Sequence, residues 1–153
     1  MLYNYLSLLV LNVLVSFTTA ATTTRKLSTR PTLVASPHAP ALAHFNSPKR
    51  TKVCYVTARG SGLDDSAALL SAAKSCNNGG TVALTDSLYT IGKPLDLTFL
   101  KAIDFDIQGT IKFTTNTTYW MQNSFKYPFQ DGSALWQWGG SDVNWYGGGT
   151  IGK

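Results

Sequence analysis

The sequence predicts an all-β fold of the solenoid type, in which short strands coil into stacked rungs. A Gly-Thr-Val or Gly-Thr-Ile step occurs three times, beginning at Gly80, Gly109 and Gly149. The steps lie 29 and 40 residues apart, which indicates one regular rung and a second rung with an insertion of about eleven residues. Residues 103–111 also align with residues 143–151, and both stretches alternate apolar and polar side chains as strands do.

The remaining elements follow from short β runs separated by polar turns. We expect strands over 53–56, 81–84, 88–91, 95–97, 102–107, 110–113, 134–138 and 143–146. One helix is expected over 66–75, capped at its start by the carboxylate of Asp65 or, as the less favoured choice, of Asp64. Such a helix suits the amino end of a solenoid, where it covers the core of the first rung. A jelly roll or sandwich is the alternative architecture.

The first 52 residues differ in composition from the rest. An apolar run over 6–15, too short for a membrane span, is followed by small residues up to Ala20, which predicts a signal peptide over 1–20. A buried apolar strand or helix is the alternative. Residues 21–52 are rich in Thr, Ser, Ala and Pro, and we expect a disordered pro-segment or linker there.

Positive charge is concentrated in this amino-terminal part. The net charge is +5, yet residues 53–153 hold seven basic and eight acidic side chains. Because no basic patch with interleaved aromatic residues occurs, nucleic-acid binding is not expected. The pairs Arg25-Lys26 and Lys49-Arg50 are candidate sites for a processing protease, with chance occurrence as the alternative.

Two side-chain modifications are predicted for a secreted chain. Cys54 and Cys76 are the only cysteines, and we expect them to form a disulfide. Two unpaired buried thiols are the alternative. Asn116 begins the only N-x-[ST] sequon, so a glycan is expected on it in an exposed loop.

The acidic residues offer two candidate pairs. Asp64 and Asp65 are adjacent, but capping of the predicted helix explains them better than catalysis. Asp104 and Asp106 lie two apart on a predicted strand and therefore share one face. We expect both to be solvated, with convergence on a ligand or metal as the alternative.

Residues 53–153 contain neither His nor Glu. The two histidines, His38 and His44, fall in the predicted linker, so a Ser/His/Asp triad or a histidine metal site cannot be assembled in the predicted folded part. We therefore predict no catalytic residue, no metal ligand and no cofactor in this chain.

All four tryptophans follow residue 119. Two aromatic residues of the insertion over 114–132, Tyr119 and Trp120, are candidate sugar contacts, because aromatic rings suit the apolar faces of carbohydrates and long loops frequently hold binding residues. Core packing is the alternative for most of the tryptophans.

Taken in order, these segments resemble the N-terminal region of secreted fungal exo-polygalacturonases, the galacturan 1,4-α-galacturonidases of the polygalacturonase family of glycoside hydrolases. The resemblance is carried by residues 64–76, 80–82, 106–113, 119–120, 123–126, 129–130 and 143–151. It implies a right-handed parallel β-helix, a secreted monomer, and inverting hydrolysis of α-1,4-linked galacturonic acid in pectic polysaccharide.

The resemblance also implies what this chain lacks. The catalytic aspartates of the family lie in an Asn-x-Asp motif and an Asp-Asp pair, accompanied by a Gly-His-Gly motif and an Arg-x-Lys clamp, all downstream of the resembling region. Asp64 and Asp65 occupy the helix-cap position instead. We therefore expect residues 53–153 to be a truncated N-terminal part of the hydrolase domain that is inactive alone. A secreted non-catalytic carbohydrate-binding fragment or a pseudogene product is the alternative.

Overall fold

The structure, a computed structural model, describes residues 24–32 and 47–152. The predicted signal peptide and, from the segment over 21–52, residues 21–23 and 33–46, which include His38 and His44, lie outside the described residues. Within the described ranges, no helix is long and apolar enough to cross a membrane.

Strands dominate the described part of the chain. They are β1 (Lys52–Tyr55), β2 (Gly80–Leu84), β3 (Leu88–Ile91), β4 (Leu95–Leu97), β5 (Lys101–Ile107), β6 (Thr110–Phe113), β7 (Phe125–Tyr127), β8 (Gly132–Ala134), β9 (Trp136–Trp138), β10 (Ser141–Tyr146) and β11 (Thr150–Gly152). The helices are α1 (Ser66–Cys76) and α2 (Thr117–Asn123), and a 3-10 turn covers Pro128–Gln130.

Successive passes of the chain stack strands into parallel sheets. The first sheet has the order β1-β2-β5-β10, the second β11-β6-β3, and the third pairs β4 with β9. Every pairing in these three sheets is parallel. One rung is therefore β2, β3 and β4, the next is β5, β6 and β9, and a third begins with β10 and β11. This arrangement is a partial parallel β-helix, which confirms the predicted fold class.

The register confirms one predicted repeat and corrects the other. Asp104 pairs with Asn144, and Thr110 pairs with Thr150, as the alignment of residues 103–111 with 143–151 requires. Thr81, however, pairs with Asp104 and not with Thr110. On β3, the strand of the first rung that lies beside β6, the partner of Thr110 is Leu88. The prediction of a 29-residue rung was wrong, because the paired positions lie 23 and 22 residues apart.

The Gly-Thr steps recur because each glycine lies where the backbone passes close to other atoms. A Cβ on Gly80 would lie 2.6 Å from the carbonyl oxygen of Cys76, and one on Gly109 would lie 1.9 Å from that of Asp86. A Cβ on Gly149 would lie 2.3 Å from the carbonyl oxygen of Gly109. The repeated tripeptide therefore marks three tight turns of the backbone. Of these, only the turns at Gly109 and Gly149 lie in register on neighbouring rungs.

The core fills the inside of the coil. Strand alternation points Ile103, Phe105 and Ile107 of β5 inward, and all three are buried. On the third rung Trp145 stacks on Phe105, with ring centroids 4.5 Å apart and planes 9° from parallel. The aromatic side chains at this paired position of the second and third rungs are therefore stacked on each other.

Helix α1 covers the first rung, as predicted. Its buried face consists of Ser66, Leu69, Ala72, Ala73 and Cys76, and it packs against β1, β2 and β4. Its last residue forms the predicted disulfide with Cys54 of β1, with the two Cα atoms 6.0 Å apart. The helix is thus tied covalently to the first strand.

The start of α1 differs from the prediction. Asp65 is the N-cap residue, and its main-chain carbonyl accepts a hydrogen bond from Leu69 at 3.0 Å. Its buried carboxylate instead accepts hydrogen bonds from the backbone N–H groups of Arg59 and Thr90, both at 2.8 Å. The preference for Asp65 as the side-chain cap was therefore wrong, because its carboxylate ties the helix start to β3.

The less favoured choice, Asp64, provides the side-chain contact to the helix. Its Oδ1 accepts hydrogen bonds from the backbone N–H groups of Ser66 at 2.9 Å and Gly92 at 2.8 Å. Burial alone raises the pKa of the Asp64 carboxyl, but the hydrogen bonds from Ser66 and Gly92 outweigh it and hold the pKa below its ordinary value. The adjacent carboxylates therefore have structural roles.

Candidate functional site

The insertion lies between β6 and β9 and has its own secondary structure. It contains α2 and an antiparallel hairpin of β7 and β8, in which Phe125 pairs with Ala134. The prediction of a single helix was thus wrong, and the strand expected over 134–138 is divided between β8 and β9. Asn116 is the N-cap of helix α2, and its Oδ1 accepts a hydrogen bond from the backbone N–H of Tyr119 at 3.0 Å.

A cavity of about 360 Å³ lies between the insertion and the end of β6. Its volume lies within the range of small-ligand pockets, roughly 300–1,000 Å³. Most of its wall is apolar, with hydroxyl groups and one ammonium group among the lining residues, which are Phe113, Thr114, Thr115, Thr117, Trp120, Met121, Ser124, Lys126, Ser133 and Leu135.

The two predicted sugar contacts have different positions. Trp120 lines the cavity and is only 7% exposed, and its indole N–H donates a hydrogen bond to the carbonyl oxygen of Thr114 at 2.8 Å. Tyr119 packs edge-on against Trp120, with centroids 5.6 Å apart, and is not among the lining residues. Trp120 therefore forms part of the wall of the cavity in a fixed orientation. Tyr119 packs against Trp120 and does not line the cavity.

Lys126 supplies the positive charge at the cavity and was not among the predicted site residues. Its Nζ donates hydrogen bonds to the carbonyl oxygen of Met121 at 2.5 Å and to Oγ of Ser124 at 3.1 Å. An ammonium group has three donors, so a ligand carboxylate can accept the third. The sequence signals for Lys126 are its position in the aromatic run over 125–129 and in the resembling segment over 123–126.

Asn116, the predicted glycan site, is exposed at the start of α2. Its neighbour Thr117 lines the cavity. An N-linked glycan attaches to the side-chain nitrogen, so the capping bond made by Oδ1 is compatible with it. Glycosylation of Asn116 stays a prediction.

The two acids of β5 share one face, as predicted, but their expected solvation was wrong. Asp104 and Asp106 are both fully buried. Asp104 Oδ2 accepts a hydrogen bond from Nε of Arg30 at 2.5 Å, and Oδ1 accepts one from Nε of Arg50 at 2.9 Å. Asn144 of the next rung donates a further bond to Oδ1 at 2.8 Å. The carboxylate of Asp104 is therefore fully engaged within the protein.

The two neighbouring acids also accept hydrogen bonds, although the buried Oδ1 of Asp106 has no partner among the described residues. Asp106 Oδ2 accepts hydrogen bonds from the backbone N–H of Ser28 at 2.7 Å and from Gln108 at 2.9 Å. Asp142 pairs with Arg50 at 3.0 Å. Burial raises the pKa of the Asp142 carboxyl, but hydrogen bonds from Arg50 and Ser47 outweigh it and hold the pKa below its ordinary value. Among residues 24–32 and 47–152, no group of three or more His, Cys, Asp or Glu side chains is placed to hold a metal ion.

The sequence is similar to several curated fungal proteins. The chain is 57% identical over 103 residues to Exopolygalacturonase X-1 of Emericella nidulans, covering 67% of this chain and 24% of that protein. It is 53% identical over 116 residues to Exopolygalacturonase of Cochliobolus carbonum, covering 75% and 26%. It is 50% identical over 106 residues to Probable exopolygalacturonase X of Aspergillus fumigatus, covering 69% and 24%.

The chain thus spans about a quarter of the length of the curated relatives it matches. No family model matches the sequence, and no solved structure matches it. The chain is nevertheless 50–57% identical to these relatives over two thirds or more of its length, which indicates common descent. The chain matches fungal exopolygalacturonases over about 70% of its length, as a fragment of that family does.

Proposed function

We propose that residues 53–153 form the N-terminal turns of the catalytic domain of a secreted glycoside hydrolase. The complete protein removes galacturonic acid from pectic polysaccharide by cleaving α-1,4 linkages with inversion. The observation that carries this proposal is the 57% identity to Exopolygalacturonase X-1. Supporting it, β9, β10 and β11 lie at the edges of their sheets, where further rungs of a β-helix add.

We place the protein outside the cell, as a monomer. The disulfide between Cys54 and Cys76 supports the extracellular location, because such bonds persist in oxidising compartments. Cleavage near Ala20 of the predicted signal peptide belongs to the same proposal.

We propose that catalysis requires residues outside this chain. Inverting hydrolysis needs two carboxyl groups about 6.5–9.5 Å apart across the sugar, one acid and one base. The paired acids here are occupied by the fold, Asp104 by arginines and Asp65 by backbone N–H groups. Under this proposal, the present chain provides the first turns of the β-helix and the wall of the cavity beside Trp120.

The direct test is product analysis on polygalacturonate. The complete protein that contains these residues is expected to release monomeric galacturonic acid with inverted anomeric configuration, as detected by NMR during the first turnovers. The chain over 1–153 alone is expected to release none. Absence of galacturonic acid from the complete protein would overturn the proposed activity.

We further propose that the cavity beside Trp120 binds a galacturonate unit. The apolar wall, to which Phe113, Trp120 and Leu135 contribute, faces the C–H groups of the ring, and Lys126 pairs with the carboxylate that distinguishes galacturonate from galactose. A second candidate function is carbohydrate binding by the present chain without catalysis, and the cavity lined by Trp120 and Lys126 is the observation that favours it.

Lys126→Gln is expected to weaken binding of trigalacturonate to the chain about tenfold, because one charge-assisted hydrogen bond is lost. The measurement is titration calorimetry at low salt. Lys112→Gln is the matched control, since Lys112 is an exposed lysine of β6 that is not among the lining residues. Galactose oligomers should bind both variants equally. Equal affinity of the Lys126 and Lys112 variants for trigalacturonate would contradict the assigned role.

A further inference from the structure

The described pieces of the segment predicted as a linker lie on the outward face of the first sheet. Arg25 pairs with Asp86 at 3.4 Å, and its guanidinium carbon lies 5.6 Å from the ring centroid of Tyr55. The carbonyl oxygen of Lys26 accepts a hydrogen bond from Gln108 at 2.8 Å. Residues 24–32 therefore make contacts with β1, with β5 and with the turns that follow β2 and β5.

The second piece, residues 47–50, completes the same network. Arg50 donates hydrogen bonds to both Asp104 and Asp142, as well as to the carbonyl oxygens of Asp142 at 3.0 Å and Pro48 at 3.1 Å. Its side chain is only 4% exposed. Ser47 joins the two pieces, because it accepts a hydrogen bond from Arg30 and donates one to Asp142 at 2.6 Å.

Charge balance explains why these pieces lie there. Asp104, Asp106 and Asp142 place three carboxylates on one face, and the sequence of residues 53–153 provides no arginine there to pair with them. Like charges this close repel, and buried carboxylates are stable only when paired. Arg30 and Arg50 supply cations to Asp104 and Asp142. Asp106 has hydrogen bonds from Ser28 and Gln108 in place of a cation. The described pieces of the segment predicted as a pro-segment or linker thus contact the folded part.

We propose that the outward face of sheet β1-β2-β5-β10 is a binding site for the chain's own residues 24–32 and 47–50, and that the segment is retained in the mature protein. A processing protease must bind the side chain of Arg50 in order to cut after it. In the folded protein that side chain is already held by two carboxylates and two carbonyl groups. Lys49-Arg50 is consequently protected after folding.

Limited proteolysis tests this protection. Trypsin is expected to cut the Arg50–Thr51 bond of the folded chain at least about 100-fold more slowly than the same bond in a peptide over 45–56, because cleavage requires local opening. The rates are followed by mass spectrometry of the released fragments. Cleavage of the folded chain at the rate of the peptide would overturn the proposal.

Two variants identify the cause of the protection. Asp104→Asn with Asp142→Asn removes both charges that hold Arg50, and cleavage after residue 50 is expected to accelerate at least tenfold. If that variant does not fold, Arg50→Lys keeps a trypsin site but cannot make the forked contacts, and it is expected to accelerate cleavage as well. Unchanged rates in the folded variants would contradict the assigned role of the carboxylates.

The secreted protein gives an independent result. Expressed in a fungal host that possesses a dibasic-processing protease, it is expected to have an intact mass that includes residues 24–50. A mature protein that begins at Thr51 would overturn the inference. This outcome is distinguishable from failure of the proposed hydrolase activity, since it depends on the mass of the product alone.

Discussion

Gly109→Ala is expected to lower the free energy of unfolding by about 3 kcal/mol, at the upper end of overpacking costs. The new Cβ would lie 1.9 Å from the carbonyl oxygen of Asp86. That oxygen belongs to backbone and cannot rotate away. The two chain passages are also fixed by backbone hydrogen bonds, Gly109 to Leu84 at 3.3 Å and Thr110 to Ser87 at 2.9 Å. Urea denaturation followed by tryptophan fluorescence measures the change.

Gly152→Ala is the matched control. Gly152 lies on β11 and has no heavy atom within 4 Å of its ideal Cβ position. Its substitution is expected to change stability by less than about 0.5 kcal/mol, as surface substitutions usually do. Equal effects of the two alanines would show that residues 109 and 86 are not in close contact, and would contradict the described packing of the rungs.

Removal of the disulfide by Cys54→Ala with Cys76→Ala is expected to lower the free energy of unfolding by about 3 kcal/mol. The bond joins β1 to the end of α1 across a sequence separation of 22 residues, so it restricts the unfolded chain and holds the capping helix on the first rung. Replacing both cysteines avoids a free thiol. The measurement is again the urea midpoint, taken under non-reducing conditions.

A reducing agent provides the internal control. Dithiothreitol is expected to destabilise the wild-type chain by a similar amount and to leave the double-alanine variant unchanged. A wild-type chain with the same urea midpoint in the presence and absence of dithiothreitol would show that the disulfide does not stabilise the fold.

The strands were predictable because they depend on local pattern. Alternating side chains and intervening turns placed β3, β4 and β6 at their observed bounds. The alignment of residues 103–111 with 143–151 also gave the observed register between the second and third rungs. Local alternation, however, does not determine which passes become neighbours. For that reason the first Gly-Thr step was assigned the wrong partner.

Helix α2 was missed because its sequence disfavours a helix. Thr117 and Thr118 are β-branched and Tyr119 and Trp120 are aromatic, and all four have modest helix propensity. The helix forms because Asn116 caps it and because Trp120 is buried against Phe113. Tertiary packing therefore decided the conformation.

The buried acids were missed for a different reason. Asp104 lies 74 residues from Arg30 and 54 residues from Arg50 along the chain, and the composition of the amino-terminal segment predicted a disordered pro-segment or linker. An alternating strand with polar residues on one face is typical of a solvated sheet. Only the three-dimensional arrangement shows that the arginines cover this face.

Engineered cross-linking tests the stacked-rung register most directly. Thr110 and Thr150 are in-register neighbours on β6 and β11, whereas Thr81 pairs with Asp104 of another sheet. Thr110→Cys with Thr150→Cys is therefore predicted to form a disulfide on mild oxidation, and Thr81→Cys with Thr110→Cys to form none, as measured by peptide mapping under non-reducing conditions. A cross-link between positions 81 and 110, or none between 110 and 150, would contradict the coiled arrangement on which the proposed function depends.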